Sequence, residues 1–153
     1  MKTKLNNSQI DRFSRQIILK NIGIKGQEKI IQSKVLIIGM GGLGCPAAEF
    51  LVRAGIGCLG IIDPDNVGLS NIHRQSLFDI KDINKPKVIV AKKKLKNINP
   101  NIKIDHYKTK LSLRNYNKIF NKYEYIIDGS DNFETKFLIN DVSRKYKKFL
   151  VTG

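Results

Sequence analysis

Two short apolar runs punctuate the first half of the chain. VLII at 35–38 leads into GMGGLG at 39–44, and CLGII at 58–62 leads into Asp63. Unbroken branched runs bounded by glycine or an acid predict strands buried on both faces, as in a parallel sheet. Between them, PAAEFLVR at 46–53 has small residues near its start and Gly55 just past its end, which predicts a helix. Strand, helix and strand in so short a span imply a right-handed βαβ unit. Further on, Pro86 opens a helix with Val88, Ala91, Leu95 and Ile98 as its buried stripe, stopped by Asn99-Pro100. The pattern then predicts a third strand at 102–106, a helix over LSLRNYNKIF at 111–120 and a fourth strand at 125–128. A helix capped by Asp131 or Asn132 and running through Tyr146 follows, and a fifth strand starts at 149–152. Ahead of the first strand, Ser8 with Asp11 has capping-box character, and Ile10, Phe13 and Ile17 recur at helical spacing. They predict a helix from about residue 9 to Lys20, and a shorter one follows at 26–32.

This alternation predicts an α/β fold of Rossmann-like, three-layer αβα form with a mainly parallel sheet, the whole of 1–153 forming one domain with an N-terminal helical segment at 1–33. An apolar fraction of 41% and a charged fraction of 27% are those of an ordinary globular protein. The opening MKTKLNNSQ has lysines but no apolar core, and later apolar stretches are interrupted by Glu49 and Arg53. Neither a signal peptide nor a membrane span is expected, and a cytoplasmic location follows.

The net charge of +15 raises the question of nucleic acid. The excess comes from 22 Lys beside 6 Arg in a sequence also rich in Ile and Asn, and lysine offers no planar fork for reading bases. Nucleic-acid binding is therefore not the expected primary role, and the run Lys92, Lys93, Lys94, Lys96 reads as a solvated helix face. Cys45 and Cys58 are too few and too far apart for a zinc pair or a disulfide framework. A helix N-terminus next to Cys45 would acidify its thiol, but the expected role is packing beside the glycine turn, with Cys58 buried and inert. His73 and His106 have no recognisable metal partners.

The chemistry centres on the glycines. In the G-x-G-x-x-G spacing one glycine lets the chain turn tightly, one lets bare backbone approach a phosphate, and one lets helix and strand pack closely. Asp63 stands where such folds hold a ribose hydroxyl. Asp65 and Asp128, also at strand ends, suit either a functional or a capping role. These features alone fit a nicotinamide dehydrogenase as well as an ATP-using enzyme.

Six stretches in order decide between them: RFSRQ at 12–16, GMGGLG at 39–44, IDPDNV at 62–67, SNIHRQ at 70–75, KPK at 85–87 and GSDN at 129–132. The series resembles the ThiF/MoeB/HesA family of adenylyltransferases, which activate the C-terminal carboxylate of a small ubiquitin-like sulfur carrier. The resemblance implies ATP as nucleotide, with Arg74 and Lys87 on its phosphates, Asp131 holding magnesium and Asp63 on the ribose. Gly41 and Gly42 would line the nucleotide with their backbone, and Ser70, Asn71, Ile72, His73 and Asn132 would complete the pocket. Arg15 resembles the arginine that family members contribute across a homodimer interface. Arg15, Arg74, Lys87 and Asp131 are thus the implied catalytic set, and a carrier of the ThiS/MoaD type, in molybdopterin or thiamine biosynthesis, is the implied partner.

The chemistry suits such a set. The nucleophile is already a carboxylate, so the difficulty is bringing an anion to an anionic phosphate, which cations must screen. Family members continue with further strands, two C-x-x-C zinc pairs and in many cases a reactive cysteine, none of which has a counterpart here. The expectation is therefore the ATP-binding half of such an enzyme, with zinc belonging to the longer form and one sheet edge left unpaired. Two alternatives remain: a tRNA threonylcarbamoyl-adenosine dehydratase of the same superfamily, and a nicotinamide-binding dehydrogenase.

Overall fold

A computed structural model describes residues 5–153. The first four residues of the N-terminal segment lie outside the described residues. In chain order come α1 (Asn7–Arg12), α2 (Ser14–Ile17), α3 (Gly23–Gln32), β1 (Lys34–Ile38), α4 (Gly44–Ala54) and β2 (Cys58–Ile62). They are followed by α5 (Lys87–Ile98), β3 (Lys103–Tyr107), α6 (Tyr116–Phe120), β4 (Tyr125–Asp128), α7 (Phe133–Lys145) and β5 (Phe149–Thr152).

The strands form one sheet in the order β3-β2-β1-β4-β5, and every pairing is parallel. Successive residues of β1 point to opposite faces, which is why its unbroken apolar run is needed. Val35 and Ile37, with Leu59, Ile61 and Ile104, pack under Ala48 and Val52 of α4 and Val88, Ala91 and Leu95 of α5. Leu36 and Ile38, with Ile126, pack under Ile119 and Phe120 of α6 and Ile139 and Val142 of α7. The result is the expected three layers. The chain winds outward from β1 to β3 and then crosses back to β4, so β1 and β4 flank a topological switch point, where open α/β sheets place ligands.

The N-terminal helix differs from expectation. It is two pieces, α1 and α2, separated at Phe13, and its capping box is formed by Asn6 and Gln9 rather than by Ser8 and Asp11. The break has a tertiary cause. Phe13 is buried with its ring over Gly55, where a Cβ would lie 2.3 Å from the ring's Cζ. Gly55 is also the left-handed residue that ends α4, with φ of 92°. Gln16 and Gln27 both donate to the carbonyl of Ala54, and Arg12 donates to that of Ile98, so α1 to α3 satisfy the ends of α4 and α5. The second helix starts earlier than expected, at Gly23. The predicted helix at 111–120 forms only at its end. Asn115 ties the preceding residues into a turn, donating to the Lys110 carbonyl and accepting from the Ser112 amide.

Candidate functional site

At the C-terminal ends of β1, β2 and β4 lies a cleft of about 740 Å³. Three helix N-termini meet its rim: α4 at Gly44, α5 at Lys87 and α7 at Phe133. Each brings partial positive charge, which makes the cleft attractive to anions. The turn from β1 to α4 is the floor. A Cβ on Gly44 would lie 1.9 Å from the Gly39 carbonyl oxygen, and one on Gly39, whose φ is 92°, would lie 2.6 Å from the Gly129 oxygen. Among the described residues, the N–H groups of Gly41, Gly42 and Leu43 donate to no backbone carbonyl. They are left to a ligand.

Asp63 locks this turn from below. It is buried, and its Oδ2 accepts from the Met40 amide at 2.7 Å while Oδ1 accepts from the Asp65 amide at 2.8 Å. Burial pushes its carboxyl above the ordinary range, against the pull of those two amides and of Lys87. Each carboxylate oxygen keeps a second acceptor site for a hydroxyl in the cleft.

Arg74 and Lys87 are the two cations that the sequence singled out, and both line the cleft. Arg74 is exposed, lies beside Gly42 and donates from Nη1 to the Ser70 carbonyl at 2.7 Å. Lys87 is 6% exposed. An antiparallel bridge between Asn66 and Pro86 brings α5 back to the end of β2. There the Lys87 amide donates to the Asp65 carbonyl at 3.0 Å and its Nζ reaches Asp65 Oδ2 at 3.3 Å. Asp65 is thus the partner that places Lys87.

On the other side of the switch point, Asp128 is buried, and its Oδ1 accepts from the Ser130 amide at 2.9 Å and the Ser130 hydroxyl at 2.6 Å. Its Oδ2 faces Lys136 Nζ at 3.3 Å and Thr152 Oγ1 at 3.2 Å. This anchor holds the loop that presents Asp131, which is exposed on the cleft wall and, among the described residues, in no ion pair. Asn132 caps α7, its Oδ1 accepting from the Thr135 amide at 3.0 Å.

The expected set therefore meets in part. Gly41, Gly42, Asp63, Asn71, Arg74, Lys87, Asp131 and Asn132 line one cleft, whereas Ser70, Ile72, His73 and Arg15 do not. The 3₁₀ turn at Leu69–Asn71 leaves Ser70 exposed with its carbonyl on Arg74, and His73 is likewise exposed. Arg15 is an exposed residue of α2, a helix that packs against the C-terminal end of α4. The whole of α4, about 16 Å long, runs between that end and the glycine turn. The cleft also contains residues to which the sequence reading gave no role: Gln75, Thr109, Lys110 and Lys136. Gln75 lay inside a quoted motif, but nothing marks Lys110 and Lys136 among 22 lysines.

Cys45 sits at the start of α4, fully buried among core side chains, and burial pushes its thiol up to about 12. The helix N-terminus does not overcome that desolvation. Native protein at pH 8 is expected to leave Cys45 unmodified by iodoacetamide and to react there only after denaturation. Peptide mass spectrometry checks this, and rapid native labelling would contradict it. Cys58 is half-buried, in the opposite core, and no group of three or more His, Cys, Asp or Glu able to hold a metal occurs among the described residues. These residues offer zinc no ligand set. A hard cation bound together with ligand oxygens would fit better, because Asp131 lines the cleft and, among the described residues, is in no ion pair. No described helix is long and apolar enough to cross a membrane.

Comparison with known proteins agrees with this fold. The ThiF family matches residues 13–153. Over 145 residues the chain is 40% identical to the sulfur carrier protein adenylyltransferase of Thermus thermophilus, covering 95% of this chain and 54% of that protein. Over 151 residues it is 43% identical to the adenylyltransferase and sulfurtransferase MOCS3 of Culex quinquefasciatus, covering 99% of this chain and 34% of that one. Among solved structures, the E. coli tRNA N6-threonylcarbamoyladenosine dehydratase superposes with a TM-score of 0.90 at 26% identity, over 98% of this chain and 62% of that one. The same dehydratase is known in complex with AMP and with ATP. The chain thus spans about a third to six-tenths of the length of these proteins. With its glycine turn, its switch-point cleft and a match from residue 13 to residue 153, the chain belongs to the ThiF family.

Proposed function

We propose that the protein is an ATP-dependent adenylyltransferase that activates the C-terminal glycine carboxylate of a ubiquitin-like sulfur carrier. The observation that carries this reading is the convergence of free glycine-turn amides, Arg74 and Lys87 on one cleft. The names of the relatives in Thermus and Culex support the choice of acceptor.

In the reaction, a carboxylate oxygen of the carrier attacks the α-phosphorus of ATP. The bond from phosphorus to the bridging oxygen breaks, giving an acyl adenylate and pyrophosphate, with no proton to remove. The residues act by position and charge. Asp63 accepts from the ribose while holding the Met40 and Asp65 amides in place. The amides of Gly41 to Leu43 and the N-termini of α4, α5 and α7 receive phosphate oxygens, and Arg74 and Lys87 offset the charge that gathers on the leaving pyrophosphate. Asn71 and Asn132 close the pocket, and Asp131 would hold magnesium, which when bound would screen the phosphates from the incoming carboxylate. Arg15 lies away from its own cleft and, in a homodimer, serves the partner's. A ThiS/MoaD-type carrier, molybdopterin or thiamine biosynthesis and a cytoplasmic location complete the reading.

Carrier-dependent exchange of labelled pyrophosphate into ATP tests it. We expect exchange only when a carrier with a free C-terminus is present, and no exchange with any such carrier would overturn the assignment. The structural likeness to the E. coli dehydratase and the net charge of +15 favour a second reading, in which tRNA is the acceptor. ATP turnover stimulated by tRNA instead of carrier would mark that outcome.

A further inference from the structure

Gln75 is a buried polar side chain that the folded protein leaves incomplete. It is 2% exposed and lines the cleft. Its Oε1 is sealed from solvent with no hydrogen-bond partner. Its backbone is fixed on both sides, the amide donating to the Asn71 carbonyl at 2.9 Å and the carbonyl accepting from the Phe78 amide at 3.0 Å. The other end of the carboxamide faces the glycine turn, with Nε2 4.0 Å from where a Cβ on Gly41 would stand. Leucine or methionine would fill the same space without the cost of burying an unsatisfied carboxamide.

We propose that Gln75 is a further nucleotide contact, its Nε2 donating to a phosphate oxygen cradled on the free amides of Gly41 to Leu43. The inference rests on the ATP reading of this cleft but not on the identity of the acceptor. The position gives the Nε2 end of the carboxamide a use, while Oε1 stays without a partner. Arg74 and Lys87 supply charge, which draws a triphosphate in but does not fix its register. A neutral donor locked by burial over Gly41 adds direction without adding charge. The side chain loses little further freedom when the ligand arrives, because folding has already immobilised it.

The test compares the full-length protein with its Gln75→Met and Gln75→Glu variants, measuring ATP and adenosine affinity together with the melting temperature without ligand. Gln75→Met is expected to bind ATP about tenfold more weakly, the scale of one hydrogen bond to a charged group, with adenosine affinity unchanged and melting unchanged or raised. Gln75→Glu keeps the shape but sets a carboxylate against phosphate, and is expected to lose about a hundredfold. ATP affinity equal to wild type in either variant overturns the proposal, as does a loss that is equal for ATP and adenosine, the sign of a merely structural role. Should Gln75→Met fail to fold, Gln75→Leu takes its place with the same measurements and the same outcomes. If ATP binds normally to wild type but carrier-dependent exchange is absent, the acceptor assignment falls and this one stands. If wild type binds no ATP, both fall.

Discussion

Replacing Lys87 with methionine is expected to slow carrier-dependent pyrophosphate exchange by about a hundred- to a thousandfold, the usual effect of removing one preorganised charge from a transition state. The same change is expected to leave the melting temperature where it was or raise it. Both halves follow from the local structure. Lys87 carries its ammonium into a site with 6% exposure, and among the described residues its close ion-pair partner, Asp65, is itself largely in solvent, with the buried Asp63 carboxyl attracting it from farther off. An ion pair with so exposed a partner adds little to stability, and a methionine of similar length fills the same buried space. Its helical position at the start of α5 does not depend on the ammonium, because the Asp65 carbonyl is held by the Lys87 amide. Exchange rates and thermal melts of one preparation check the prediction together. Loss of stability in parallel with activity would mean that Lys87 is a structural residue.

Gly44→Ala should act in the opposite way, through the fold. The added Cβ would lie 1.9 Å from a backbone oxygen, that of Gly39, so no side-chain rotation relieves the clash. Either the start of α4 moves away from β1 or the Gly39 turn opens. Gly39 cannot yield easily, since it has φ of 92° and faces the Gly129 carbonyl. A loss of about 3 kcal/mol is expected, the upper end of overpacking costs. For a chain of this size that lowers melting by roughly 10 °C. Nucleotide binding should vanish even below the new melting point, because the amides of residues 41–43 leave their alignment. A variant that melts like wild type and still binds ATP would show the turn to be more pliant than its geometry allows.

What the sequence revealed and what it hid divide along physical lines. The strand at 58–62 was legible because a strand buried between two helical layers must be apolar at nearly every position, and such runs are short and conspicuous, whereas 149–152 is an apolar run that lies mostly exposed at the sheet edge. The helix at 87–98 was legible from its Pro start and its stripe. The break at Phe13 was not, because it depends on Gly55, 42 residues downstream, and helical spacing carries no information about such a partner. The site divides in the same manner. Asp63, Arg74, Lys87 and Asp131 were found through ordered motifs, and the fold gathers them at the switch point. Ser70 and His73 sit in the same stretch as Arg74, but a 3₁₀ turn and the residues that follow it do not send every side chain the same way. Lys110 and Lys136 were invisible in a chain so rich in lysine, since only the fold distinguishes a cleft lysine from a solvated one.

Asp128 gives the edge of the sheet a hold on the loop that bears Asp131. One of its oxygens secures the Ser130 turn, while the other is shared between Lys136 and Thr152 at the end of β5, and Lys136 also donates to the Gly153 carbonyl at 2.8 Å. Peeling β5 away would strip Thr152 from the buried Asp128 carboxyl and free Lys136 from one of its acceptors. The loop bearing Asp131 and the outermost strand are therefore wired to loosen together, as one cooperative unit instead of two independent pieces of surface. Whatever presses on or protects that strand acts at the same time as a brace for the carboxylate on the cleft wall.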